Sequence, residues 1–349
     1  MKTRRKLLIA AIGIYFISSP TWADTEILTA KFLGLPNPIL KNVEDRFAII
    51  KQEYGDHPTF DDAQAFYKNG PKNIEQAIKP YGFFKAHISR SYLTRKGKTW
   101  TAVYVIDLGP PLKIQHIDAN LSGPGVDNAA LRQCLNDLPI KPGQVLETEN
   151  YEKAKQQFFQ VASEEGYLKA YFDEQLIKIN LETNTATIIL HFNTRERYYF
   201  GPVHFNQDTF SESFLRRYMN FKEGQAFSSQ TLLQLQQNLN NTNYFSAVAV
   251  TPELQQAPHD AVPIDITLKP NKGQQYNAGI GYGTFTGARL TLDAKFRHLN
   301  RFGHHADLQM KLSKVLGGFA AQYVIPGKDP LNEQYSIGAN TQKFSPKKR

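Results

Sequence analysis

The chain has 349 residues, 41% of them apolar, and a mean hydropathy of −0.45. That length suits several separate cores, and the composition excludes a bundle of membrane-spanning helices, because the one long apolar run, Leu7–Ile17, is too short to cross a bilayer. A formal charge of +9 does not by itself demand nucleic acid, and a single cysteine, Cys134, excludes an intrachain disulfide scaffold.

The chain opens with the basic stretch Lys2-Thr3-Arg4-Arg5-Lys6, the apolar run, and then Ser18-Ser19-Pro20-Thr21-Trp22-Ala23. This order is that of a signal peptide, residues 1–23, cut after Ala23. Its loss removes four of 41 basic residues and none of the 32 acidic ones, which leaves +5. A strand is expected over Thr25–Leu33. Asn37-Pro38 reads as a helix start, with Asn as the cap and Pro at the first helical position. Leu40, Val43, Phe47 and Ile50 give that helix its apolar stripe. Two further helices are expected, Asp61–Tyr67 and Asn73–Lys79, and then two strands, Lys85–Tyr92 and Trp100–Leu108.

The same order begins again at Leu112–Ile117. A short helix near Asn128–Leu135 holds Cys134, which reads as a small buried apolar residue. A longer helix, Glu149–Glu164, and two strands, Lys169–Asn180 and Thr185–Asn193, complete this copy. A third copy opens at Arg197 and runs through a helix at Phe214–Asn220, a helix at Thr231–Leu239, and strands Ala247–Pro252 and Val262–Lys269. Lys141 to Lys222 and Gly143 to Gly224 are both 81 positions apart. The chain therefore carries three β-α-α-β-β units of roughly 80 residues each. Each unit leaves an open sheet edge, to which an extended peptide can add as a strand.

The C-terminal stretch changes character. In Ala288–Phe296, Leu290, Leu292, Ala294 and Phe296 alternate with Arg289, Thr291, Asp293 and Lys295. In His305–Ser313, Ala306, Leu308, Met310 and Leu312 alternate with His305, Asp307, Gln309, Lys311 and Ser313. Strands apolar on one side and charged on the other suit a barrel wall with lipid outside and water inside. Five strands are expected after Asn271: Gln275–Gly283, Ala288–Phe296, His305–Ser313, Phe319–Ile325 and Gln334–Phe344.

No constellation for catalysis emerges. Gly279-x-Gly281-x-Gly283 lies inside a strand, lacks a following helix and a Lys-Ser/Thr, and is no phosphate loop. His304 and His305 are adjacent in a strand, so they face opposite ways and do not share a metal readily. There is no HExxH and no G-x-S-x-G serine. Asp61-Asp62 suits the positive end of a helix. Arg195, Arg197, Arg216 and Arg217 read as a solvated face. The expectation is no catalytic, cofactor or metal site.

The order of these segments resembles the Omp85 superfamily, whose periplasmic units are called POTRA domains. The resemblance rests on Arg197-Tyr198-Tyr199-Phe200-Gly201, Phe221-Lys222-Glu223-Gly224, Gly279-Ile280-Gly281-Tyr282-Gly283 and Arg301-Phe302-Gly303-His304. Three units are typical of its translocation-and-assembly-module branch; other branches carry five units, or two with a plug helix. The resemblance implies α+β POTRA domains at 24–109, 110–195 and 196–270. They are succeeded by 271–349, the N-terminal strands of a transmembrane antiparallel β-barrel.

It implies a non-enzymatic factor of the outer membrane, with its POTRA domains in the periplasm. Such a factor helps insert or translocate β-barrel and autotransporter proteins by strand templating. Its implied partners are unfolded outer-membrane protein clients, a TamB-like periplasm-spanning subunit and outer-membrane lipid. The family's first barrel strand is half of a lateral gate, which makes Tyr276, Ala278, Gly279, Ile280, Gly281, Tyr282 and Gly283 the candidate gate strand. Arg301, Phe302, Gly303 and His304 are a candidate hairpin motif. The family's barrel has sixteen strands against five expected here. Either the product is truncated, or another chain supplies strands, or the piece stays out of the membrane. The alternative reading is a non-catalytic periplasmic binding scaffold left by a shortened gene.

Overall fold

The structure, a computed structural model, describes residues 26–55, 57–284 and 287–344. The expected signal peptide and the last five residues lie outside the described residues. The chain forms two compact units, the first built on the first three strands and the second on most of the later elements.

The first unit is β1 (Ile27–Leu33), α1 (Asn37–Gln52), α2 (Phe60–Ile78), β2 (His87–Lys96) and β3 (Thr99–Asp107). The sheet order is β1-β3-β2, with β1 parallel and β2 antiparallel to the central β3. The core joins Leu28 and Phe32 from β1, Val43 and Phe47 from α1, Phe66 and Ile74 from α2, and Tyr104 from β3. Pro36, not Asn37, stands at the cap of α1, with extended backbone and no side-chain hydrogen bond. Thr59 and Asp62 form a full capping box on α2, which is the role of Asp62 in the acidic pair at that helix start.

The two helices expected over Asp61–Tyr67 and Asn73–Lys79 are one continuous helix, α2, with Pro71 inside it. Proline removes the N–H that would reach the carbonyl four residues back, here Tyr67 O. The Tyr104 hydroxyl, buried in the core, donates to that carbonyl at 2.8 Å. Gly70 makes the approach possible, since a Cβ there would stand 1.9 Å from the Tyr104 oxygen. The stripe Ala63, Phe66, Gly70, Ile74 and Ala77 then stays buried along the whole helix. Tyr104→Phe leaves Tyr67 O bare, so urea unfolding of the first unit is expected to show a loss of about 1–3 kcal/mol.

The second unit holds two more β-α-α-β-β repeats. One is β4 (Lys113–Ser122), α3 (Ala129–Asn136), α4 (Thr148–Glu164), β5 (Tyr171–Asn180) and β6 (Thr185–Asn193), with sheet order β4-β6-β5. The Asn128 side chain caps α3 by accepting the Leu131 N–H at 3.0 Å. Cys134 is buried, and burial pushes its thiol up to about 11. The other repeat is β7 (Tyr199–Asn206), α5 (Glu212–Leu215), α6 (Ser229–Asn240), β8 (Phe245–Pro252) and β9 (Ala261–Pro270), with order β7-β9-β8. The helix expected over Phe214–Asn220 starts earlier, under the Ser211 cap, and passes into a 3-10 turn at Arg216–Tyr218. It ends there because Phe221 is drawn into the core, stacked 3.9 Å from Phe200.

The 81-position spacing is a structural repeat. Gly143 and Gly224 have φ of +89° and +79°, which glycine adopts freely. Each donates its N–H at 2.7 Å to the first strand of its own repeat, at Ile114 O and Phe200 O. Gln144 and Gln225 close each turn by accepting the N–H of Lys141 and Lys222.

The last sheet is β10 (Gln274–Gly283), β11 (Gly287–Phe296), β12 (His305–Ser313), β13 (Leu316–Pro326) and β14 (Gln334–Phe344). It is antiparallel in sequence order, with β10 and β14 as its edges. The register extends the alternation over the full sheet. Ile280 pairs with Leu290 and Leu290 with Leu312; Ala278 pairs with Leu292, Leu292 with Met310 and Met310 with Phe319. The opposite face carries Asn277, Asp293 and Gln309 in line, and the Gln309 amide donates to Asp293 at 2.8 Å. One face is therefore apolar from β10 to β13 and extends to Ile337 and Ala339 of β14, where Thr341 and Lys343 interrupt it, and the other is mainly polar in β10–β12.

Candidate functional site: an open strand edge and its base

The strand β10 pairs with β11 along one side, from Gln274↔Phe296 to Gly283↔Gly287. Its other side is the edge of the sheet. Tyr276, Ala278, Ile280 and Tyr282 lie on the apolar face, and Ile280 is 91% exposed. Gly279, Gly281 and Gly283 lie on the polar face. At Gly281 a Cβ would stand 2.9 Å from Arg289 Nε, so the missing side chain is where the Arg289 guanidinium lies. At Gly279 a Cβ would meet nothing within 4 Å. The two glycines thus differ: one makes room for an arginine, and the other leaves the backbone bare. Glycine in a strand interior lowers its hold on its neighbour.

The hairpin motif sits at the other end of the sheet from these glycines, between β11 and β12. Asn300 Oδ1 accepts the N–H of Phe302 at 2.9 Å and of His304 at 3.3 Å, and the Leu299 N–H closes the turn on His304 O at 2.7 Å. Gly303 has φ of +76°, and a Cβ there would lie 2.2 Å from the Phe214 ring. The glycine is needed on both counts, for conformation and for space. Phe214 belongs to the third repeat and is fully buried. The hairpin is therefore seated in the third repeat. The Ser211 N–H donates to Arg301 O at 2.8 Å, and His298 packs its ring 5.3 Å from Phe210. His304 Nδ1 lies 2.7 Å from the Tyr323 hydroxyl on β13.

Neither set of sequence-predicted residues lines the cleft at the base of β10, just before the candidate gate strand. This cleft of about 290 Å³ lies between Asn243 and Tyr244 of the third repeat and Gln275, Lys295, Arg297, His305 and Asp307 of the sheet. Arg297 donates to Lys272 O at 3.0 Å and to Gln275 Oε1. Asn271 ties the short β9–β10 connection, donating from its side chain to Asn243 O at 3.0 Å and Phe245 O at 2.9 Å. Tyr244 is buried, which pushes its hydroxyl up to about 12, so it stays a hydrogen-bond donor throughout the neutral range.

The arginines expected on a solvated face divide. Arg195 is exposed. Arg197 is half-buried and joins the second and third repeats: it donates to Glu165 O at 2.8 Å and pairs with the Glu165 carboxylate at 3.2 Å, over the Tyr167 ring. Arg217 lies over Phe214 and reaches into the sheet's other turn. Their partners are 32 and 110 positions away in sequence, so no local pattern marks them.

Residues 198–271 match the POTRA family described as surface antigen variable number repeat, and residues 33–108 match the family described as POTRA domain, TamA domain 1. Over 184 residues the chain is 26% identical to the outer membrane protein assembly factor BamA of Buchnera aphidicola subsp. Acyrthosiphon pisum (strain APS). That alignment covers 51% of this chain and 29% of the relative. The crystal structure of BamA from Haemophilus ducreyi lacking POTRA domains 1–3 superposes with a TM-score of 0.57 at 21% identity, over 66% of this chain and 43% of that one. At that identity the likeness speaks to the fold. The chain thus spans less than half the length of each of these two relatives. It carries α+β repeats, two of which match POTRA families, and a following sheet built like a piece of a barrel wall; in this arrangement it is similar to proteins of the Omp85 superfamily.

Proposed function

We propose that this chain is an outer-membrane assembly factor that helps insert or translocate β-barrel and autotransporter proteins by offering β10 as a template strand. The three POTRA domains, assigned to 24–109, 110–195 and 196–270, stand in the periplasm. The sheet β10–β14, within the segment 271–349, turns its apolar face to lipid. Clients are unfolded outer-membrane proteins, and the match of residues 33–108 to a TamA-type domain supports a TamB-like periplasmic subunit as the partner. The chemistry is hydrogen bonding and burial, with no covalent step.

The observation that carries this reading is the β10 edge. It combines a row of backbone donors and acceptors without a strand partner among the described residues, an apolar face continuous with that of β11–β13, and glycines on the polar face. A bare N–H or C=O in hydrocarbon costs on the order of several kcal/mol, so a strand entering lipid gains by pairing before it leaves water. An open edge beside lipid supplies that pairing.

Disulfide trapping in the native envelope tests it. With Cys134 replaced, single cysteines placed along β10 are expected to capture a client carrying cysteines in its own edge strand, at matched positions of one register. Capture that is absent, or equal at every pair of positions, refutes templating and leaves a binding scaffold.

A further inference from the structure

We propose that Tyr244 and Arg217 are positioning residues that latch the third repeat onto the two turns at one end of the sheet. Repeat and sheet then move as one rigid body, and the β10 edge stands at a fixed place beside the repeat. The functional meaning of the latch rests on the templating reading above; the latch itself does not.

Two turns face the third repeat, one joining β11 to β12 and the other β13 to β14. Each gives a main-chain carbonyl to a side chain of that repeat. The Tyr244 hydroxyl donates to Gly303 O at 2.6 Å, and Arg217 Nη1 donates to Gly327 O at 2.8 Å. Strands in a sheet are spaced by about 5 Å, so the two attachment points lie on the order of 10 Å apart. One hydrogen bond leaves a body free to pivot. Two at that separation fix its direction as well.

The attachment has a common floor. The Phe214 ring lies against Gly303 and under the Arg217 guanidinium, whose centre is 5.1 Å from the ring centroid. Phe214 is itself fully buried in the core of the third repeat. The sheet reaches back as well, since Arg301 Nη2 donates to Asp208 O at 3.3 Å. A third tie holds the base of β10: the Asn271 N–H donates to Tyr244 O at 2.7 Å, so the residue that grips the β11–β12 turn also holds the chain entering the edge strand.

A template strand is most effective when its place is fixed before a partner arrives, because the cost of ordering it is then already met. Packing against a buried ring resists pivoting, and the carbonyl acceptors make the joint directional. Neither Tyr244 nor Arg217 contributes a group to the β10 edge, so their effect passes through geometry alone.

The test is a distance distribution on the full chain in lipid nanodiscs, without client. Spin labels go on Glu223→Cys in the third repeat and Lys314→Cys in the far turn of the sheet, both exposed, with Cys134→Ser as background. The unaltered latch is expected to give one narrow distribution. Tyr244→Phe with Arg217→Gln is expected to at least double its width while the far-ultraviolet circular dichroism stays unchanged, and each single change is expected to fall between. Arg217→Lys, which keeps the charge and a donor, is expected to recover part of the narrowing. A double variant as narrow as the parent overturns the latch. A broadened distribution supports it whether or not β10 captures clients, so the two readings fail separately.

Discussion

Removing Tyr276–Gly283 is expected to abolish insertion of client barrels, while the three POTRA domains keep their fold. The loss is complete because the deletion takes away the β10 edge of the sheet, which three residues separate from β9. A subtler version separates pairing from mere presence. Gly279→Pro and Ile280→Pro are made one at a time. Along a strand, successive N–H groups point to opposite sides, so one of these prolines removes a donor from the β11 ladder and the other removes a donor from the free edge. The edge-facing proline is expected to reduce client insertion by an order of magnitude or more and leave β11 paired. Insertion assays in reconstituted vesicles, with protease resistance of the sheet as the control, read both. Normal insertion by the deletion would end the templating reading.

The second large effect is at Gly303. Two glycines in turns of the sheet share a left-handed backbone, Gly303 at φ +76° and Gly287 at φ +70°. Alanine at either position meets the conformational cost of roughly 1–2 kcal/mol. The surroundings differ. Beside Gly287 the nearest atom is the flexible Lys314 chain at 3.4 Å, an ordinary contact, whereas beside Gly303 it is the buried Phe214 ring at 2.2 Å. Overpacking a rigid core adds about 1–3 kcal/mol. Gly303→Ala is therefore expected to cost about 2–5 kcal/mol and Gly287→Ala about 1–2 kcal/mol, with thermal unfolding of the full chain as the measure. Equal losses at the two sites would mean that Phe214 moves aside and the hairpin is not wedged in the third repeat.

Much of this architecture could be read from local patterns. Period-two alternation identified β11 and β12 at nearly their full lengths, because each residue of those strands faces either an apolar or a polar layer without exception. The spacing of Lys141-Pro142-Gly143 and Lys222-Glu223-Gly224 exposed a repeat, because the turn needs a positive φ at the same place each time. Patterns failed where a partner is remote. The break expected between Tyr67 and Asn73 is absent because of Tyr104, which lies 37 positions from the carbonyl it bonds. The roles of Arg197 and Arg217 depend on Glu165 and Gly327, and a surface arginine looks the same in sequence with or without such partners. The glycines of β10 showed themselves as a cluster, but only the register with β11 reveals that Gly281 makes room for Arg289 and that Gly279 has no side chain close by. Asn243-Tyr244-Phe245 reads in sequence only as the counterpart of Gly166-Tyr167-Leu168 in the preceding repeat, and nothing beside Tyr244 marks it as the tyrosine at which three chain segments meet.

The bond from Tyr104 to Tyr67 O has a consequence for how this chain can change. Pro71, Tyr104 and Gly70 are one unit of inheritance. With Pro71 in place, losing the Tyr104 hydroxyl strands a partly buried carbonyl; with an alanine at 71, the helix bonds that carbonyl itself and the hydroxyl becomes dispensable. A larger residue at 70 is barred while Tyr104 stays and is freed once a small one replaces it. The order of substitutions therefore matters: a drift that alters Pro71 first meets little resistance afterwards, while one that begins at Tyr104 or Gly70 must first cross a less stable intermediate.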